Sequence, residues 1–171
     1  MSALTVLYLI LPFPLAFILH EIEEICTQRK WMDRNAGQLE QDHPSLRRLI
    51  TNLSGLSTLG FSLAALEELL LILVAVCCVL VDATYSVHIW GAVFIAFSVH
   101  TLVHIAQAIV IRKYVPGLVT SVLLLPYCFM GIKSLWLYLG PGIFVLLGVG
   151  GTLLMVLNLF VLHSLCRKLK H

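Results

Sequence analysis

From Leu69 to Val81 every residue is apolar. A helix of about 20 mainly apolar residues spans the hydrocarbon core of a bilayer. Runs of that length recur along the chain, and they predict five spanning helices at 4–27, 54–81, 87–111, 117–139 and 142–164. Composition agrees. Sixty per cent of the 171 residues are apolar and 12% are charged, against about 45–50% and 25% in soluble domains. This excludes a water-soluble globule, a disordered chain, a disulfide scaffold and a nucleic-acid binder. The expected fold is all-α: a polytopic membrane bundle forming a single domain over residues 1–171.

The basic residues order these helices across the membrane. Arg29, Lys30, Arg34, Arg47 and Arg48 lie between the first two runs, Arg112 and Lys113 between the third and fourth, and Arg167, Lys168 and Lys170 after the fifth. The connections around Asp82 and Gly140–Pro141 carry no Lys or Arg. Lys133, near a helix end, is the exception and can snorkel. The positive-inside rule then puts the N-terminus outside and the C-terminus in the cytoplasm, with the cell (inner) membrane favoured and an organellar membrane the alternative.

Residues 28–53 form the one sizeable polar segment, read as a cytoplasmic surface loop of which part can lie along the interface as a helix. Within it, His43-Pro44 marks a turn. Pro126 is expected to kink the fourth helix. Gly148, Gly150 and Gly151 allow close approach to the fifth. Cys26, Cys77, Cys78, Cys128 and Cys166 show no metal-site spacing, and Cys166 beside Arg167 is in a context for acylation. No cleavable signal peptide is expected, because the first apolar run ends in acids. His88, His163 and His171 lie at helix ends or in the tail and read as interfacial.

Ionisable groups inside spans are costly and tend to mark function. The first helix ends His20-Glu21-Ile22-Glu23-Glu24, the second contains Glu67-Glu68, and the third carries His100, His104 and Gln107. At 100° per residue His20, Glu23 and Glu24 share a face and Glu21 points away, while His100, His104 and Gln107 fall within a narrow arc. By helical rise, His20 is roughly 13 Å from Arg29, His104 roughly 12 Å from Arg112, and Glu67 roughly 20 Å into its helix. Asn158 reaches the same layer. Carboxylates and imidazoles from three helices are therefore expected at overlapping depths.

Such acids cannot all remain ionised in low dielectric without positive charge. Two divalent metal ions supply it, with iron favoured and zinc or manganese the alternatives. The expected metal ligands are His20, Glu23, Glu24, Glu67, Glu68, His100 and His104, with Glu24 or Glu68 as the bridging or catalytic carboxylate. Gln107 and Asn158 are expected to orient ligands. Arg112, Tyr114 and Thr120 are expected to form a mouth for a polar headgroup.

The motif at residues 20–24, the pair His100 and His104, and the stretch Arg112–Thr120 together resemble the HXXEE domain family of small membrane proteins, over roughly residues 10–160. The resemblance implies functional status for His20, Glu23 and Glu24. It implies no reaction, because the family is defined by its motif.

The reading that follows is an integral-membrane di-metal enzyme that oxidises or desaturates a lipid-like substrate arriving from the bilayer. A zinc-dependent intramembrane hydrolase of a lipid and a proton or metal-ion transporter are the alternatives. A transporter is disfavoured by the lack of an internal repeat and of a polar path through the outer half of the bundle. A structural scaffold leaves the buried acids unexplained.

Overall fold

Pro12 and Pro14 start a helix rather than break one. Pro14 stands in the first turn, where its missing N–H removes no intrahelical bond. From there α1 runs from Phe13 to Asp42, preceded by a helical turn over Ala3–Thr5 and Val6–Ile10. The computed structural model describes residues 3–168, except the side chains of Ala3, His163, Cys166, Arg167 and Lys168. The acylation candidate Cys166, the basic tail, and the interfacial assignments of His163 and His171 therefore lie outside what is described.

At about 1.5 Å per residue the 30 residues of α1 reach roughly 45 Å, more than a hydrocarbon core of about 30 Å. The excess carries the polar segment, which is helical rather than a loop. His43 ends α1, Pro44–Leu46 makes one tight turn, and α2 (Arg47–Ser54) doubles back. Met32 and Leu39 of α1 and Ile50 of α2 bury one another with Trp31, Ala36, Leu53 and Ile111. Arg29 donates to the Ser54 and Leu56 carbonyls, and Arg47 pairs with Glu40. These contacts hold α2 against the stem of α1.

Three further helices follow: α3 (Thr58–Leu80), α4 (Ser86–Ile111) and α5 (Leu118–Lys168). Ser57 caps α3 by accepting from the Gly60 N–H. Four helices of the chain are long and apolar enough to cross a membrane, and no strand occurs among the described residues. The fourth of them, α5, is two arms. Gly140 (φ 74°, ψ 163°) leaves helical geometry, and the ring centroids of Trp136 and Phe144 lie 5.3 Å apart. A continuous helix would separate those positions by about 12 Å, so the chain reverses between them. The arms are residues 118–139 and 141–168, making five long helices. The connection expected around Gly140–Pro141 is where the helix breaks, while Pro126, expected to kink the fourth helix, keeps helical dihedrals.

The core is aromatic. Trp90, Phe13 and Phe94 are fully buried, with Trp90 stacked on Phe94 at 4.9 Å and Phe13 edge-on to Phe94 at 5.2 Å. Phe97 packs on Phe13 at 5.4 Å and Tyr127 on Phe94 at 5.4 Å. The Tyr127 hydroxyl donates to the Leu9 carbonyl at 2.6 Å, tying the start of the chain to α5. Helix α5 reaches α4 where it lacks side chains: Gly131 lies under the Phe94 ring and Gly151 against the Ala92 carbonyl. This cluster fills the half of the bundle nearer Gly140 and leaves the other half, towards the basic segments, to polar groups.

Candidate metal centre

Continuing along the same faces of α1 and α4, the aromatic residues give way to His20 and Glu24 on α1 and to His100 and His104 on α4. Each pair is four residues apart, so each sits on one side of its helix. The two helices bring the pairs face to face. Each residue offers one ligating atom, and the four atoms lie within 4.8 Å of one another. Glu24 Oε1 is 3.5 Å from His20 Nε2, 3.6 Å from His100 Nε2 and 2.6 Å from His104 Nε2. His100 and His104 Nε2 are 3.0 Å apart. The three rings form a triangle with centroid separations of 5.1, 5.1 and 4.4 Å.

This arrangement suits a metal ion. Ligands at about 2.1 Å in a tetrahedron stand roughly 3.4 Å from each other, and the observed separations scatter about that value. His20 Nε2 and Glu24 Oε1 are buried and satisfy no hydrogen-bond geometry, although the imidazole nitrogens stand 2.6–3.6 Å from Glu24 Oε1. Buried polar atoms are normally hydrogen-bonded, and a cation at the common focus accounts for both. His20 is fully buried, Glu24 and His104 nearly so, and His100 keeps 24% side-chain exposure.

The centre is closed on the basic side by the loop before α5. Val115, Pro116 and Gly117 are buried there. Gly117 adopts φ +78°, and a Cβ at that position would meet Glu24 Oε1 at 2.7 Å and His20 Cε1 at 3.0 Å. Both the dihedral and the space require glycine. The Pro-Gly pair signals a turn in the sequence, but only the fold shows what the turn covers.

A family model described as a protein of unknown function with HXXEE motif matches residues 11–131. The chain belongs to the HXXEE family. The matched region contains all four residues of the cluster and the covering loop. No curated protein and no solved structure matches the chain.

The structure sorts the other expected ligands of this HXXEE protein. Glu23 turns away from the three imidazoles. Its Oε2 accepts from the Thr120 N–H at 2.7 Å and the Thr120 hydroxyl at 2.6 Å, and its Oε1 from the Val119 N–H at 3.1 Å and the Tyr114 hydroxyl at 2.7 Å. Helix geometry explains this: three residues from His20 is one side of the stripe and four is the other. Partial burial raises the Tyr114 hydroxyl above its ordinary range, which keeps it a donor. Glu67 accepts from Asn158 Nδ2 at 2.8 Å, so these two pair with each other rather than with the cluster. Glu68 stands closer in: it interacts electrostatically with Glu24, and its Oε1 is buried without a hydrogen-bond partner.

The expected outer residues also move. Gln107 is exposed. Arg112 is an exposed left-handed residue closing α4 (φ 55°), and Tyr114 and Thr120 are hydrogen-bonded to Glu23. Glu21, expected to stand aside, is 8% exposed and interacts electrostatically with Glu24 and Glu68. Measured from His20 it points 100° away, but three residues from Glu24 it lies only about 60° off that face. Two residues that sequence reasoning passed over, Glu21 and Gly117, thus border the cluster.

Proposed function

We propose that this chain is a five-pass integral-membrane metalloenzyme. Its N-terminus lies outside and its basic end faces the cytoplasm, as the distribution of Lys and Arg requires. The observation that carries the reading is the convergence of His20, Glu24, His100 and His104 on one focus, with two of the atoms there otherwise unsatisfied. Imidazole with carboxylate suits iron, zinc or manganese. The four convergent atoms make the ligand set of one ion.

The substrate is a lipid-like amphiphile or hydrocarbon chain. The loop over Gly117 closes the basic side and the aromatic cluster the opposite one. His100, the ligand with appreciable exposure, faces the remaining direction. A bound iron ion supplies the chemistry for oxidising or desaturating an unactivated chain with dioxygen and an external reductant. Packed helices exclude water, and the ligands are fixed by rings locked against Phe97 and one another. Glu68 supports a second reading, a zinc-dependent hydrolase, in which its buried, unpartnered Oε1 would serve as a general base for water admitted to the metal. The aromatic plug disfavours a transporter, which needs a polar path through that half.

Metal analysis of the detergent-purified full-length chain tests the reading. The wild type should carry about one iron, zinc or manganese ion per polypeptide, and His104→Ala or Glu24→Ala should lower this to background. A wild type that holds none of the three, as purified and after incubation with each, overturns it.

A further inference from the structure

The two adjacent glutamates of the motif make quite different contacts, and donor–acceptor accounting shows why that matters. His20 Nδ1 lies 3.0 Å from Thr120 Oγ1. The Thr120 hydroxyl has one proton. Its acceptors are Glu23 Oε2 at 2.6 Å and the Gly117 carbonyl at 3.3 Å. Either choice directs that proton away from His20, and the shorter one is favoured by a charged acceptor. Oγ1 must then accept from the imidazole, which places a proton on His20 Nδ1. In the neutral ring Nε2 then keeps the lone pair, and Nε2 is the atom that faces Glu24 at 3.5 Å.

Glu23 is itself held in place. Val119 and Thr120 are the second and third residues of α5, whose first N–H groups have no intrahelical acceptor. Glu23 accepts from both, so a carboxylate on α1 docks the N-terminus of α5, where the helix dipole favours negative charge. The Tyr114 hydroxyl completes the set. One bond pattern therefore runs from the start of α5 through Glu23 and Thr120 to the ring of His20.

We propose that Glu23 and Thr120 are positioning residues for the metal centre: they select the Nδ1–H form of His20 and aim its Nε2 at the focus shared with Glu24. The motif thereby divides into a ligand at its first position, a clamp at its fourth and a ligand at its fifth. This rests on the metal-centre reading, and it explains why a carboxylate one residue from a ligand makes no contact with the other imidazoles. Outer partners of metal-bound histidines fix tautomer and ring orientation, and their loss costs about 10- to 100-fold in metal affinity.

The test is a Co2+ titration of the purified full-length chain, read by its visible ligand-field absorption against a competing chelator. Thr120→Val keeps the volume and the backbone donors to Glu23 but removes the hydroxyl. It should bind Co2+ about 10- to 100-fold more weakly, with an altered absorption band and a lowered melting temperature in the metal-free state from the orphaned His20 Nδ1–H. Thr120→Ser should restore wild-type affinity and spectrum, and Glu23→Gln should fall between. Wild-type affinity in Thr120→Val, with Co2+ lost in His104→Ala, overturns the positioning role and leaves the metal centre standing. Equal losses in Thr120→Val and Thr120→Ser also overturn it, because the hydroxyl is then irrelevant. Failure of the wild type to take up Co2+ overturns the positioning role together with the metal centre.

Discussion

The inner stripes of α1 and α4 change chemistry halfway along. On α1 the sequence of inward residues is Phe13, Phe17, His20, Glu24; on α4 it is Trp90, Phe94, Phe97, Thr101, His104. Spacing and burial are the same in both halves, and the edge-on contact of His20 with Phe97, 5.7 Å between centroids, marks the border. One half is held by ring contacts and leaves a single inner-stripe donor, Trp90 Nε1, without an acceptor. The other leaves His20 Nε2 and Glu24 Oε1 without hydrogen bonds. Lipid tails provide no hydrophobic drive between helices, so packing of rings and small residues has to hold them together. The aromatic half does this, and the polar half is free to be arranged for a ligand.

Three substitutions sharpen the contrast, and two of them exploit glycines in equivalent roles. Gly131→Ala places a Cβ 2.2 Å from Phe94 Cε1, and that ring is enclosed by Phe13, Trp90 and Tyr127. Overpacking of this kind should cost about 1–3 kcal/mol, seen as a lowered melting temperature in detergent with metal stoichiometry unchanged. Gly117→Ala should act on the metal centre as well as on stability. The left-handed dihedral costs an ordinary residue about 1–2 kcal/mol, and the new methyl group pushes on Glu24 Oε1. Metal affinity should fall at least tenfold while the aromatic half keeps its near-ultraviolet circular dichroism. Equal metal loss in both variants would abolish the division between the halves. Asn158→Ala removes a single interhelical hydrogen bond from Glu67, worth about 0.6 kcal/mol by the average for such bonds in membranes. It should leave bound metal at the wild-type level; loss of metal would return Glu67 to the centre.

Much of this architecture can be read directly from the residues. Lengths of apolar sequence mark the helices, and the depth of the polar groups within them brings His20, Glu24, His100 and His104 together. The helical course of residues 28–42 is harder to see, because its apolar side is narrow: Met32 and Leu39 are seven residues apart among charges, and their partner Ile50 lies beyond a turn. Glu23 and Glu24 both share a face with His20, so the choice between them depends on the rotation of α1 and on where Thr120 arrives from α5. That is a tertiary fact. Glu67 and Glu68 are adjacent and straddle a direction; the position of Asn158, on a helix that reverses at Gly140, decides which one turns outward.

The four clustered residues come from two stretches of chain separated by the rest of α1, all of α2 and α3, and the first half of α4. His20 and Glu24 therefore leave the ribosome about eighty residues ahead of His100 and His104. Until α4 follows, the first span has to sit in the bilayer with acids whose partners do not yet exist, at about 2.5–3.5 kcal/mol for such a group near the middle of a helix. On the proposed metal-centre reading, ion capture is a late event in biogenesis, and a captured ion would report that the third span has been delivered.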